Sequence, residues 1–299
     1  MSRRLGPLLA LALAVLATSV SSILIRWANA PAESTAFWRV ALAAVTFALL
    51  RPEARRGLWD AGAPAEERTR PWRVALLPGL LLAAHFATWI ASLDHTSIAV
   101  SVLFVATQPL FAVGLAAVWL DERPRPFAWI GLLLAAGGTA VWFLGDPPAG
   151  EPRGAWLALA GGAAAAGYLV LGRRGRRRVA FAPYWLAVNV IAAAALAAWA
   201  GMRRAPFVGF SFETWLAFAA LAWIPHLAGH GLYNWAVRRW SALAVNVAVL
   251  GEPVLAPLWA WWAFSERPGW RFAGTAAAVW FGILLVVRAE TRDGEGEPE

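Results

Sequence analysis

Of the 299 residues none is cysteine, and all 26 cationic side chains are arginine, so lysine is missing as well. Without cysteine there is no disulfide framework and no thiolate metal site, and stability has to come from packing. Charge of either sign is scarce. Charged residues make up 15% of the chain against 60% hydrophobic, too little polar surface to coat a soluble globule of this length. The mean hydropathy of +0.56 says the same. Nor is there a polar tract long enough for a soluble domain, since the longest, residues 51–73, is Arg, Glu, Pro and Gly and reads as a loop.

What fills the chain instead is a series of apolar stretches of about 18 to 23 residues, the length a helix rising about 1.5 Å per residue needs to cross a bilayer core of about 30 Å. They cover residues 7–25, 32–50, 74–93, 97–119, 126–144, 154–172, 182–200, 214–236, 242–264 and 271–287. The expectation is an all-α integral membrane protein of ten transmembrane helices. The start, Ser2-Arg3-Arg4 followed by an apolar run and the small residues 17–22, resembles a secretory signal. It is counted as a helix because its removal would leave nine and unpair the halves described below.

Arginine placement orients the array. With the N-terminus cytoplasmic, 19 arginines fall on the cytoplasmic side, 6 on the other, and Arg39 lies within a helix. By the positive-inside rule both termini are cytoplasmic, in a multi-pass protein of the cell (inner) membrane. The run Arg173-Arg174-Gly175-Arg176-Arg177-Arg178 abuts a membrane helix and is read as topogenic and lipid-attracting, not as a nucleic-acid patch.

A repeat at an offset of 144 residues is the next feature: Ser97, Pro109, Glu122, Arg123 and Pro124 return as Ser241, Pro253, Glu266, Arg267 and Pro268. With five helices in each half, an odd number, the second half begins on the opposite side of the membrane. The result is a 5+5 inverted-topology repeat, with residues 1–148 and 149–290 as its halves and 291–299 as a cytoplasmic polar tail. Inverted repeats let a carrier expose one central site alternately to the two sides.

These residues resemble a known family. Ten helices in two halves, Pro31, Glu33, Phe37 and Arg39 opening the second helix, Glu252-Pro253 in the ninth, and Glu122 and Glu266 after the fourth and ninth are similar to the EamA-type members of the drug/metabolite transporter superfamily. The resemblance implies a secondary transporter, often an exporter, of small metabolites such as amino acids, working by alternating access around a central cavity. A multidrug or organic-cation efflux carrier is the alternative. Two departures stand out, Gln108 where the family has Gly or an apolar residue, and the lack of lysine.

Polar groups inside membrane helices are costly and tend to face a cavity or a partner. Ser97, Ser101, Phe104 and Gln108 share one face of helix 4, His85 and Trp89 one face of helix 3, and His226, His230 and Asn234 one face of helix 8 beside Tyr233. If those faces meet, they enclose a polar, aromatic cavity. The expected cavity residues are Arg39, His85, Trp89, Ser101, Gln108, His230, Tyr233, Asn234 and Glu252. Glu252, the only carboxylate deep in an apolar segment, is the candidate for a coupling proton or a substrate ammonium. Arg39 is the candidate partner of Glu252 or of a substrate carboxylate. Pro109 and Pro253, at equivalent positions, are the expected hinges, with Pro78, Pro225 and Pro257 as further breaks. Trp27 and Trp270, near helix ends, are read as interfacial anchors.

His226 and His230 have metal-like i, i+4 spacing, but no Glu of a His-Glu-x-x-His motif lies between them and no third ligand is near in sequence, so neither metal nor cofactor is expected. No nucleophile with a base is found, which argues against an intramembrane enzyme. No recognition loop is found either, which argues against a receptor or scaffold. The expected partners are a small-molecule substrate, protons and membrane lipids, with no nucleic acid, and the working unit is taken as a monomer.

Overall fold

The computed structural model describes residues 2–59, 70–121, 126–145, 152–176, 179–237, 240, 245, 247–265 and scattered positions between 274 and 288. All regular structure among them is helical. The elements are α1 (Ser2–Ser19), α2 (Ser21–Ala28), α3 (Ala32–Leu50), α4 (Pro52–Trp59), α5 (Pro71–Ser92), α6 (Ile98–Val105), α7 (Gln108–Trp119), α8 (Pro126–Gly145), α9 (Pro152–Arg176), α10 (Phe181–Met202) and α11 (Phe212–Leu221). A π-helical stretch, Ala222–His230, follows α11, then α12 (Gly231–Ala236), a single 3₁₀ turn (Val249–Gly251) and α13 (Glu252–Phe264).

Six stretches among the described residues are long and apolar enough to cross a membrane: Leu8–Ala28, Ala32–Leu50, Pro71–Ser92, Ile98–Trp119, Arg153–Gly175 and Phe181–Met202. They coincide with expected helices one to four, six and seven. The fifth is present as a shorter apolar run, Pro126–Gly138, within α8. The eighth is divided among α11, the π-stretch and α12, and the ninth is described in part by α13. Most of the tenth, together with Glu122, Glu266 and the tail 291–299, lies outside the described residues. Leu9, Leu13, Leu49, Leu133 and Trp262 are exposed, a surface fit for lipid and unfit for water.

Several helices break where the sequence weakens the backbone ladder. In the first span the hydroxyls of Thr18 and Ser19 donate back to the carbonyls of Ala14 (2.9 Å) and Leu16 (2.8 Å), a pattern that bends helices, and α1 gives way to α2 at Val20. In the fourth span α6 ends at Val105 and α7 restarts at Gln108. Pro109 stands in the first turn of the new helix, where its missing N–H costs nothing. The same device returns 144 residues on, where a 3₁₀ turn ends at Gly251 and α13 starts at Glu252 with Pro253 in its first turn. The prolines expected mid-helix thus begin helices. Both of these helices also end alike, with Asp121 and Ser265 each at φ 57°, left-handed positions again 144 residues apart.

The core lies where α5 runs between α9 and α10, with α3 packed against both α10 and α5. Phe86, Trp89, Tyr168, Tyr184, Val188 and Tyr233 pack together there. Close approach to α9 depends on Gly162, whose Cβ, if it had one, would meet the Val105 carbonyl oxygen at 2.7 Å. On the α1 side, a Cβ on Gly229 would meet Thr18 Cγ2 at 2.5 Å, so the π-stretch and α1 touch backbone to side chain. At one end of the molecule the 203–211 loop is tied to the start of α3. Ser34 Oγ donates to the Pro206 carbonyl (2.6 Å), Trp38 Nε1 to that of Phe207 (2.9 Å), and Arg203 pairs with Glu33 at 3.4 Å.

Candidate functional site

The two helix breaks face one another across a cavity. Thr18, Ser21, Arg39, His85, Trp89, Val105, Gln108, Ala165, Tyr168, Leu169, His230, Tyr233, Val249 and Glu252 line it. It holds about 440 Å³ of space outside the atoms, of which about 30 Å³ is wide enough for the centre of a water molecule. That is room for about two waters. Eight of the lining residues fall into four pairs 144 residues apart: Ser21 with Ala165, Trp89 with Tyr233, Val105 with Val249, and Gln108 with Glu252.

Arg39 projects from α3 and is fully buried. Its guanidinium lies over the Phe86 ring at 4.3 Å and near that of Trp89 at 5.7 Å, contacts in which the ring faces attract the cation. Nη1 donates to Ser21 Oγ at 2.7 Å. Among the described residues Nε and Nη2 have no hydrogen-bond partner, and neither does Trp89 Nε1. Leaving buried donors of a charged group unpaired is expensive. Here the unpaired edge is the Nε/Nη2 side of the guanidinium, the geometry that takes a carboxylate in two parallel bonds.

Glu252, the first residue of α13, supplies the opposite charge and feels the field of Arg39. The two do not form an ion pair: among the described residues the guanidinium's hydrogen bond goes to Ser21. The carboxylate is held by Tyr233, whose hydroxyl donates to Oε1 at 3.4 Å and lies 3.2 Å from Thr18 Oγ1. Thr18, Tyr233 and Glu252 therefore join α1, α12 and α13 in one polar chain, and Gly229 is what lets Thr18 come close.

The imidazoles gather beside this chain. His85 Nδ1 lies 3.0 Å from the Gly161 carbonyl, so it carries the proton and donates. The His85 ring stacks on Trp89 at 5.7 Å, and the His230 ring lies 5.9 Å from His85 and 5.2 Å from Phe86. His226 is turned away from the cavity. Its Nε2 meets Asn189 Oδ1 at 2.5 Å, while Asn189 Nδ2 donates to the Trp185 carbonyl. Among the described residues no group of three potential metal ligands is close enough to hold an ion.

Seven of the nine residues expected from the sequence thus meet: Arg39, His85, Trp89, Gln108, His230, Tyr233 and Glu252. Ser101 does not line the cavity; its hydroxyl pairs with that of Ser92 at 2.6 Å on the side of α5. Asn234 stands one layer back and donates to the Tyr168 hydroxyl, which does face the cavity. The sequence reading missed Tyr168, Thr18 and Ser21. The signal for the last two was present, because hydroxyls at 18, 19, 21 and 22 interrupt an otherwise apolar helix, but they had been read only as small residues.

The family model described as EamA-like transporter family matches residues 5–144 and again residues 152–288. An uncharacterized transporter of Pseudomonas aeruginosa is 34% identical over 87 residues, 28% of this chain and 29% of that protein, so the match spans under a third of the relative's length. One solved crystal structure matches over 97% of this chain and 99% of its own at 23% identity with a TM-score of 0.73. At that identity the likeness speaks for the fold alone.

Proposed function

The chain belongs to the EamA-like transporter family, and from that premise we propose that it is a secondary exporter of zwitterionic metabolites, amino acids foremost, carried through the Arg39–Glu252 cavity. As a membrane transporter it is not an enzyme. The observation that carries the substrate class is the pair of opposite charges, Arg39 buried and Glu252 half-buried, that line one cavity without pairing. A zwitterion would complete both, its carboxylate on Nε and Nη2 of Arg39 and its ammonium on Glu252.

Alternating access is supported by the repeat. Two family matches, helix breaks before Pro109 and Pro253, left-handed ends at Asp121 and Ser265, and four lining pairs at one offset fit ten helices in a 5+5 inverted arrangement with both termini cytoplasmic. The breaks are the hinges of this reading. On this reading the state described, with room for about two waters, is the occluded one, and substrate binding requires the half-helices at Gln108 and Glu252 to move apart. Glu252 is also the proton-coupling group, which ammonium and proton would occupy in alternate steps.

Flux of labelled amino acids in proteoliposomes tests this. Arg39→Gln should abolish transport of zwitterions and spare simple organic amines, whereas Glu252→Gln should lose accumulation driven by a pH gradient. Zwitterion transport unchanged in Arg39→Gln would overturn the assignment. The organic-cation reading has its own support in the rings of Trp89, Tyr168 and Tyr233 around Glu252. Transport of quaternary amines with no amino acid flux would favour it.

A further inference from the structure

A second pocket, away from the cavity, lies between the start of α5 and the end of α9. It measures about 200 Å³, with Arg73 and Arg174 at its rim and Val74, Leu77 and Leu171 below. Both arginines are exposed. Arg174 sits in the last turns of α9, where a cation suits the negative helix end. Arg73 is the anomaly. It stands in the first turn of α5, which contains no acidic residue, and a cation there opposes the helix dipole. Among the described residues no acidic side chain forms an ion pair with either arginine, so the described pocket presents two positive charges beside the apolar Val74, Leu77 and Leu171.

We propose that this pocket is a binding site for an anionic phospholipid, with the headgroup phosphate held between Arg73 and Arg174 and the first part of an acyl chain laid on Leu77 and Leu171. The place fits the chemistry. Both helices cross the membrane by length and composition, and their paired ends bring the arginines to the level of the headgroups, with the aliphatic side chains one turn deeper. Basic pockets between membrane helices are a recurrent way to hold such lipids. A phosphate would satisfy both guanidinium groups and reverse the unfavourable placement of Arg73, while free phosphate would leave the apolar floor unused. The lipid would tie α5, which carries His85 and Trp89, to α9, which carries Tyr168, at the end remote from the 203–211 loop.

The test uses the full-length protein purified in detergent, with thermal unfolding and native mass spectrometry as phosphatidylglycerol is added. The variant pair is Arg73→Gln/Arg174→Gln. The control, Arg55→Gln/Arg56→Gln, removes the same charge from exposed positions on α4. The expected result is a rise in Tm and retained lipid in the wild type and the control. In the site variant, apparent affinity should fall about fivefold for each arginine removed. The single variants give the same reading should the double variant not fold. Equal losses in the site and control pairs would overturn the site, since a general basic surface would then suffice. Inorganic phosphate raising Tm as far as the lipid does would overturn the lipid assignment, as would phosphatidylcholine doing so.

Discussion

At the residue scale, Asp94 offers a reading independent of transport. It lies in the turn after α5, on the exposed surface, and the partial loss of water around it pushes its carboxyl above the usual carboxylate range; Glu33 adds to this and His95 opposes it. The folded protein therefore holds this proton more tightly than the unfolded chain. Stability declines as pH rises from about 4, the ordinary value, through the raised one. Asp94→Asn should unfold at a higher temperature than wild type at pH 7, with the difference closing as pH falls toward 4. Tyr233 gives a second test. Tyr233→Phe removes the hydroxyl between Thr18 and Glu252 at a cost of about 1–3 kcal/mol, and it should shift the pH dependence of transport, which Trp27→Phe on the exposed surface should not. Arg39, Trp89 and Glu252 were legible in the sequence because charge and indole are rare deep in apolar runs. Thr18 and Ser21 were not, since a hydroxyl in a helix can always bond its own backbone and its direction is set by packing.

Among the elements, six of the ten expected spans were legible from length and apolarity, and their interruptions were not. The stripe Ser97, Ser101, Phe104, Gln108 assumes one straight helix. The break between α6 and α7 turns Gln108 to the cavity and leaves Ser101 against Ser92. Pro109 was read as a kink for the right reason, a missing donor, but a proline in the first turn starts a helix. Pro253→Ala restores that donor and lets α13 extend backward over Val249–Gly251. The expected outcome is an equal or higher Tm with slower transport, and faster transport would remove the hinge role. Gly229→Ala sets a methyl against Thr18; overpacking of this kind costs about 1–3 kcal/mol. It should also separate Thr18 from Tyr233, lowering both Tm and flux.

For the whole molecule, the resemblance carried by Arg39, Glu252 and Pro253 foretold an EamA-like transporter, while the arginine counts and the 144-residue offset set the expectation of two oppositely oriented halves. The offset reappears in helix starts, helix ends and cavity lining. Reporter fusions at Gly175 and Gly150 should report opposite sides of the membrane, because one helix, α9, separates them; the same side for both would end the inverted-repeat reading. The π-stretch Ala222–His230, which contains Pro225, has a bearing on what a gene encoding this chain can tolerate. A wider turn accommodates a residue that an α-helix would not. Deleting one codon just after the stretch, at Leu232 for example, where the regular helix has no extra residue to give up, would rotate everything after it by about 100°. Tyr233 would leave Glu252, and Asn234 would leave Tyr168. An in-frame loss of one residue, which the wide turn itself can absorb, would one turn later misalign two helices at once, so length after the stretch is under tighter constraint than length within it.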